Sequence, residues 1–457
     1  MAYSKRTKNR IYIGLGSLIL SCIIYGIFLI NSLLPVLTGY AAKNLCSAVF
    51  ISNREQAEVE SRNLNFSFVR YVKNTVNFQD SSVTSSFLWR KSKAIYRKGF
   101  GACLLRKMAE SQVRKIHYPT NNAVRYNQDT IDWPLGNQIP KIPTNIDTIK
   151  RDLITKKLMT NDGYNGHVFA FLAVYKGVPI IESYQSEFNE KTRFLSWSMA
   201  KSFTNTLAGI MVQQGRWNIY QPSGIEEWRN DNRRRITIND LMQMQSGLQW
   251  NENYGTRSDV TVMLYNEFDF AKYTYQKPLE FSPGEKWSYS SGSVNLVNYL
   301  MRKAIGNDEE YFSFARTQLF NKIGMPDAIF EADPTGTQVG SSYIYATARD
   351  YARYGLLYLH DGIFNGERIL PENWIKYTTT PASASNGKYG SLFWLNKSKQ
   401  YASAPEDMYS CEGHEGQRIF IIPSKDLVIV LLGHSPKPDK AMKFNELLGD
   451  ILSSIPE

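Results

Sequence analysis

A serine and a lysine three residues apart have the types and spacing of a catalytic nucleophile and its base. Ser198 and Lys201 enclose the tetrapeptide Ser-Met-Ala-Lys at the start of a long helical pattern. Residues at this spacing share one face of a helix. A lysine that is partly desolvated can lose its proton and then activate a neighbouring hydroxyl. The pair predicts a serine nucleophile, with the Ser198 backbone N–H as one donor to an oxyanion.

The same spacing occurs at Ser385 and Lys388, in a stretch rich in Ser, Gly and Asn that is typical of a loop. The helical context favours Ser198 over Ser385. The structural alternative is that Ser198 caps its helix and Lys201 is a solvated residue of the first turn.

Tyr289 is the second candidate, because it follows the turn Pro283-Gly284 and precedes a helical pattern. A tyrosine beside a lysine cation can have a lowered pKa and can exchange a proton. Ser291 completes a Tyr-x-Ser motif, but this spacing occurs elsewhere in the chain and is weak by itself. An ordinary tyrosine packed at a helix start is the alternative.

The third candidate is the segment His414-Glu415-Gly416-Gln417, which lies just before the apolar strand pattern 419–422. Gly416 allows the strand edge to approach a substrate closely. His414 could contact a substrate oxygen or the serine–tyrosine network. A surface turn with an incidental histidine is the alternative.

The elements that must position these residues are read from hydrophobic periodicity. A buried β-hairpin comes first, helices follow in the middle, and a second hairpin and a helix come last. This order predicts an α/β protein of the α+β type, with an antiparallel sheet built from both ends of the domain and helices packed on it. The predicted strands are 168–175, 180–184, 417–423 and 427–433, and the predicted helices are 236–244, 293–304, 348–359 and 440–452.

The order of the three motifs resembles the serine β-lactamase and penicillin-binding-protein superfamily over about residues 165–450. The resemblance is strongest to the branch of class C β-lactamases, D-amino-acid esterases and 6-aminohexanoate-dimer hydrolase. The segments 236–248 and 340–350 look like helix motifs of this family. The resemblance implies an antiparallel sheet with flanking helices, a helical subdomain, and a cleft between them.

The resemblance also implies a role for individual residues. Ser198 would be the nucleophile, Lys201 its base or proton relay, and Tyr289 the group that shuttles protons to the leaving group. The Gln417 N–H would join the Ser198 N–H in the oxyanion hole. No metal and no organic cofactor would be needed.

Two positions depart from the family pattern. His414 stands where many members have the Lys of Lys-Thr-Gly, and Ser291 stands where the family has Asn or Ser. A neutral histidine and the nearby Glu415 are poor partners for a carboxylate. These departures favour an esterase or amidase that acts on a less anionic substrate.

The N-terminal residues predict a membrane anchor. Residues 11–30 form an uncharged, mostly apolar run long enough to span a bilayer, and Lys5, Arg6, Lys8 and Arg10 precede it. The positive-inside rule then places residues after about 37 outside the cytoplasm, which for a bacterial protein means the periplasmic side of the inner membrane. A cleaved signal peptide is the alternative, but the sequence after the run is a poor cleavage site.

Composition limits the other classes of function. The 457 residues are 43% hydrophobic and carry a net charge of +11, without a basic run interleaved with aromatics that would indicate nucleic-acid binding. The five histidines and four cysteines lack metal-site spacing. A Cys46–Cys103 disulfide is plausible in the exported part, although sequence alone does not fix the pairing.

We therefore expect four regions: a basic cytoplasmic tail (1–10), a membrane anchor (11–37), a small accessory region with a linker (38–140) and a hydrolase domain (141–457). The predicted activity is hydrolysis of a small-molecule or peptide-like ester or amide through an acyl-enzyme on Ser198. One alternative is a D-Ala-D-Ala carboxypeptidase or β-lactamase-type enzyme of the cell wall. The other is a catalytically silent binding protein on the same fold. The substrate and the oligomeric state stay open.

Overall fold

The computed structural model describes residues 5–119, 127–160, 163–435 and 442–456. The α-helices are α1 Lys5–Phe50, α2 Gln56–Arg62, α3 Glu110–Arg114, α4 Thr148–Leu158, α5 Ala200–Gln213, α6 Ile238–Met242, α7 Asp259–Asn266, α8 Phe270–Tyr275, α9 Ser291–Ile305, α10 Asp308–Ala315, α11 Ala348–Leu359, α12 Trp374–Thr379 and α13 Phe444–Leu452.

The strands are β1 Lys73–Asn77, β2 Ser82–Phe87, β3 Arg90–Arg97, β4 Gly101–Leu104, β5 His167–Tyr175, β6 Val178–Tyr184, β7 Phe194–Leu195, β8 Ile329–Phe330, β9 Ile344–Ala346, β10 Ile363–Phe364, β11 Glu367–Arg368, β12 Trp394–Leu395, β13 Tyr409–Glu412, β14 Arg418–Ile422 and β15 Leu427–His434.

The central sheet has six antiparallel strands in the order β12-β13-β14-β15-β5-β6. The strand β15, from the end of the chain, pairs with β5, with Val430 opposite Leu172. Both predicted hairpins are present, β5–β6 and β14–β15. The prediction of a sheet built from both ends of the domain is confirmed.

Helices cover both faces of this sheet because side chains alternate between faces along each strand. On one face, residues such as Leu172 and Ile419 pack into the large core that includes α5, α9 and α11. On the other face, Phe171 and Phe420 pack against α4 and α13. Three layers result, and the edge of the sheet near β13 meets the start of α5.

The predicted helices differ from the observed ones mainly at their ends. The helix 348–359 is confirmed as α11, and 293–304 lies within α9. The helical part of 236–244 is confined to α6, because Thr237 caps the helix at its start and accepts a hydrogen bond from the Asp240 N–H. The last helix begins at Phe444, and residues 440 and 441 of the predicted helix lie outside the described residues.

The helix α1 continues without a break from the apolar run into the folded domain. Residues 11–50 meet the length and composition that a membrane span requires, as a signal sequence also can. The boundary expected at residue 37 therefore falls inside one helix. Gly39 lies where a Cβ atom would be 2.7 Å from the Tyr265 carbonyl oxygen, so glycine is needed for the close contact between α1 and α7.

The small sheet β1-β2-β3-β4 packs along the second half of α1. A buried ion pair joins this region to the rest of the protein, because Lys43 Nζ lies 2.6 Å from Glu331 Oε2. The part of residues 38–140 that the structure describes therefore shares a core with the hydrolase region. The thiols of Cys46 and Cys103 are buried and free, so the disulfide considered from the sequence is not formed.

Candidate active site

Ser198 lies in a tight turn that leads into α5. The 3₁₀ turn Trp197–Met199 precedes the helix, and Trp197 has a left-handed backbone with φ of 45°. Bulky residues rarely adopt this conformation, and it is held only where the surrounding structure compensates for its cost. The turn leaves Ser198 partly exposed while its two neighbours, Trp197 and Met199, are buried.

Lys201 is 1% exposed, and oxygen atoms of other residues surround its amine. Its Nζ lies 2.9 Å from Ser198 Oγ, 3.1 Å from Ser291 Oγ and 2.8 Å from the Ser341 carbonyl oxygen. Burial lowers the pKa of Lys201 from 10.5 to about 8, although Glu252 acts in the opposite direction. The sequence prediction of a desolvated lysine beside Ser198 matches this geometry.

Glu252 is the site residue that sequence reasoning missed. One of its oxygens accepts hydrogen bonds from the Ser291 hydroxyl at 2.5 Å and the Tyr254 hydroxyl at 3.3 Å. The other accepts from the Ser291 N–H at 3.0 Å and the Trp250 indole at 2.5 Å. Since the Ser291 hydroxyl donates to Glu252, it accepts from Lys201, and the three groups form one hydrogen-bonded chain.

Tyr289 lies over the same amine, with Lys201 Nζ 4.8 Å from the centre of its ring. Its ring stacks on Trp394 at 5.5 Å between centroids. Burial raises the pKa of Tyr289 well above its ordinary value, Glu252 raises it further, and the Ser198 hydroxyl opposes the rise. The expected lowering of this pKa by Lys201 is therefore wrong, and the phenol keeps its proton at neutral pH.

The segment 413–417 packs against the turn that carries Ser198. A Cβ atom at Gly413 would lie 2.3 Å from the Ser196 carbonyl oxygen, so the two backbones are in close contact. In the described part of the chain, the Gln417 N–H has no backbone acceptor, while the Gln417 amide group bonds both the N–H and the carbonyl of Gly433. This arrangement leaves the Gln417 N–H available to a ligand.

His414 is exposed at the rim of the cluster. Its ring stacks on Tyr254 at 5.8 Å and meets Trp197 edge to face at 5.4 Å. Gly416 follows with φ of 91°, a conformation suited to glycine.

Glu415 turns away from the rim into the protein. Its carboxylate accepts a hydrogen bond from the Trp197 indole at 3.2 Å and lies 3.3 Å from His434 Nδ1. Burial alone would raise the pKa of Glu415, but attraction and hydrogen bonding from His434, with help from His414 and Trp197, lower it overall. Glu415 therefore ties the Gln417 turn to the Ser198 turn.

The alternative pair at residues 385 and 388 is separate from this network. The Ser385 hydroxyl donates to the Tyr389 carbonyl oxygen at 2.9 Å, and Lys388 is exposed. The structure thus brings Ser198, Lys201, Tyr289 and Ser291 into one cluster and leaves Ser385 outside it. The cluster combines a hydroxyl, an amine with a lowered pKa and a protonated phenol, which are the parts that nucleophilic catalysis by serine requires.

Comparisons with known proteins identify the family and the fold of the chain. The beta-lactamase family model matches residues 155–451. A 6-aminohexanoate-dimer hydrolase of Paenarthrobacter ureafaciens is 24% identical in an alignment of 295 residues that covers 59% of this chain and 73% of that protein.

Two solved structures share the fold. The putative 6-aminohexanoate-dimer hydrolase from Bacillus anthracis superposes with a TM-score of 0.60 at 22% identity, covering 72% of this chain and 90% of that one. A penicillin-binding protein homologue from Caulobacter crescentus gives a TM-score of 0.54 at 16% identity, and the superposition covers 70% of this chain and 100% of that one. The predicted fold and the predicted family resemblance are confirmed.

Proposed function

The chain belongs to the beta-lactamase family, and we propose that it is a serine hydrolase that cleaves an ester or amide through an acyl-enzyme on Ser198. One observation carries the proposal: the buried amine of Lys201 lies 2.9 Å from the Ser198 hydroxyl and has its pKa lowered to about 8. At pH 7 about one tenth of such amines are neutral and able to accept a proton.

In the first step, Ser198 Oγ bonds to the acyl carbon while its proton passes to the neutral amine of Lys201. The carbonyl oxygen becomes an oxyanion that accepts hydrogen bonds from the backbone N–H groups of Ser198 and Gln417. The bond to the leaving group then breaks, and the leaving oxygen or nitrogen takes a proton from Tyr289. The Lys201 ammonium returns a proton to Tyr289, which leaves the amine neutral again.

In the second step, water attacks the acyl carbon and gives a proton to the Lys201–Tyr289 pair. The bond from the acyl carbon to Ser198 Oγ breaks, and the oxygen recovers that proton. The raised pKa of Tyr289 suits a proton donor that is restored in each cycle. Glu252 stabilises the Lys201 ammonium, because the Ser291 hydroxyl links the two groups.

The substrate we propose is an ester or amide without an essential carboxylate beside the cleaved bond. The negative charges of Glu252 and Glu412 both raise the pKa of Tyr289, so the surroundings of Tyr289 disfavour a further carboxylate. The cation Arg418 is already paired with Glu412 at 3.2 Å. His414 occupies the rim position where many relatives carry a lysine. A similar protein is a 6-aminohexanoate-dimer hydrolase, which supports a substrate outside the β-lactams.

We also propose that α1 anchors the protein in the bacterial inner membrane, with the hydrolase region on the periplasmic side. The side chains of residues 11–30 are almost all exposed and apolar, so lipid is the environment that would cover them. Basic residues precede this run, which favours a cytoplasmic N-terminus.

Labelling with a fluorophosphonate probe tests the catalytic proposal. We expect labelling of the full chain and none of Ser198→Ala, while Ser385→Ala, a matched control, is labelled like the parent. Absence of Ser198-dependent labelling in folded protein would favour a binding protein. Robust release of D-Ala from a D-Ala-D-Ala peptide would instead favour a carboxypeptidase.

A further inference from the structure

The surroundings of α1 change abruptly where the apolar run ends. The side chains of residues 11–30 are nearly all exposed, whereas Leu34 and most residues from Thr38 onward are buried against the protein. Asn31 is the first polar residue after the run. If the run lies in lipid, the helix leaves the hydrocarbon layer at about Asn31.

One end of the small sheet lies at this same level. The β2–β3 loop contains Leu88 and Trp89, and the Trp89 indole donates a hydrogen bond to Asn31 Oδ1 at 3.3 Å. Because β1 starts at Lys73 opposite Ser86, the residues just before Lys73 lie at this end as well. We call residues 70–73 and 86–91 the sheet tip.

The sheet tip exposes large apolar side chains. Tyr71 and Leu88 are each 61% exposed and Trp89 is 57% exposed. Leu88 also has a left-handed backbone with φ of 53°, at a loop position where glycine or asparagine is favoured. Backbone strain at Leu88 costs free energy, and exposure of its apolar side chain to water adds no compensation. A lipid layer that covered the side chain would supply it.

Basic residues surround these apolar side chains. Arg70, Lys73, Arg90 and Lys91 are all exposed, and the sheet tip contains no acidic residue. Tryptophan and tyrosine are enriched where membranes meet water, and lysine and arginine near the surface are attracted to anionic lipid. The sheet tip combines both features at the level where α1 leaves the apolar run.

We propose that the sheet tip docks into the headgroup layer of an anionic phospholipid membrane, with Leu88 and Trp89 inserted and the four basic residues on lipid phosphates. The inference rests on the proposed anchoring of α1. The protein is then held by two contacts with the membrane, a spanning helix and an interfacial loop.

The second contact fixes the orientation of the active site. The ring of Tyr40 stacks on Trp197, the residue before Ser198, at 6.4 Å between centroids. Nine residues of helix separate Asn31 from Tyr40, a rise of about 14 Å at 1.5 Å per residue. A helix alone can rotate and tilt in the bilayer, whereas a helix with a docked sheet tip holds Ser198 at a fixed height and facing one way.

Spin-label depth measurements on the full chain in nanodiscs test this proposal. In a Cys22→Ser background, labels are placed singly at Leu88→Cys, Leu20→Cys and Phe78→Cys, and the other three cysteines are buried. Phe78 is the matched control, because it is a 73% exposed aromatic at the opposite end of the same sheet, beside Phe50. Circular-dichroism melting verifies that each labelled chain is folded.

In mixed phosphatidylcholine and phosphatidylglycerol, we expect the Leu88 label to be severalfold more accessible to oxygen, relative to a water-soluble nickel reagent, than the Phe78 label. Equal accessibility at these two positions, with the Leu20 label immersed, would overturn docking and leave the anchor intact; it is also the result expected if the sheet tip binds a partner protein. A water-accessible Leu20 label would overturn the anchor and the docking together. If the Leu88 label lies as deep in phosphatidylcholine alone as in the mixed lipids, the role of the basic residues is overturned.

Discussion

Replacing Glu252 by glutamine should shift the pH dependence of Ser198 reactivity to lower pH. Glu252 favours the charged form of Lys201, and the substitution removes that charge while keeping the shape of the side chain. In the proposed mechanism the neutral amine of Lys201 is the base, so its formation sets the acidic limb of the rate profile. A lower pKa of Lys201 means that the base forms at lower pH.

The magnitude follows from the hydrogen-bonded chain through Ser291. Bonds of 3.1 Å and 2.5 Å in series place the amine of Lys201 at most about 5.6 Å from the Glu252 carboxylate. At this separation the attraction is about 3 kcal/mol with an effective dielectric constant of ~20, and about 0.7 kcal/mol in bulk water. The pKa of Lys201 should therefore fall by between about half a unit and two units.

The assay is the second-order rate constant of fluorophosphonate labelling, measured from about pH 5 to about pH 9. For a one-unit shift, Glu252→Gln should react about tenfold faster than the parent at pH 6, apart from any loss of intrinsic basicity. At high pH it should react more slowly, because a weaker base accepts the Ser198 proton less readily. The two profiles should cross.

Glu280→Gln is the control, since Glu280 is exposed and its substitution changes the net charge equally. A purely structural role of Glu252 would lower the rate at every pH without moving the limb. The reasoning is refuted if the limb of Glu252→Gln coincides with that of the parent or moves to higher pH.

Three further substitutions test other parts of the structure. Lys201→Met should stabilise the protein against urea by about 3 kcal/mol at pH 7, because burial lowers the pKa of Lys201 from 10.5 to about 8 and the charged amine therefore destabilises the folded state. This destabilisation by Lys201 is complete below pH 8 and disappears as the pH rises to 10.5. Tyr289→Phe keeps the stack on Trp394 but should slow hydrolysis of an anilide ~100-fold or more, and that of a nitrophenyl ester less, because only the anilide leaving group needs a proton. Glu331→Gln should cost about 3–5 kcal/mol in thermal unfolding by leaving the Lys43 ammonium unpaired, and Lys43→Met added to it should restore much of the loss.

Contacts between residues close in the chain could be predicted from the sequence, whereas the long-range contacts of the candidate site could not. Ser198 and Lys201 are three residues apart, so helix geometry alone predicts their contact. Glu252 precedes its partner Ser291 by 39 residues and reaches it through a loop, so no spacing rule indicates the hydrogen bond. The error about Tyr289 has the same origin, since burial outweighs the neighbouring amine and burial depends on tertiary packing.

The fold shows a similar division. The strand β15 was predictable because it is a short continuous apolar run, and the helix α11 because its apolar residues follow the period of a helix. The second half of α1 was not, because residues 38–50 are buried on almost every side and have no amphipathic period. Lys43 reads as a surface residue until its partner, Glu331, is known, and the two are 288 residues apart.

Two strained turns connect the helix α1 to the candidate active site. Trp197 and Glu415 both have left-handed backbones, with φ of 45° and 61°, and each costs free energy that its neighbours must offset. The hydrogen bond between their side chains joins the two turns, and the stacking of Tyr40 on Trp197 closes the first turn from the other side. Since Lys43 fixes the same part of α1 through a buried ion pair, the position of the Ser198 N–H depends on contacts that α1 supplies. The proposed anchor and the turn of the proposed nucleophile therefore share one structural element, and a chain that begins after residue 50 would lack part of the support for Ser198.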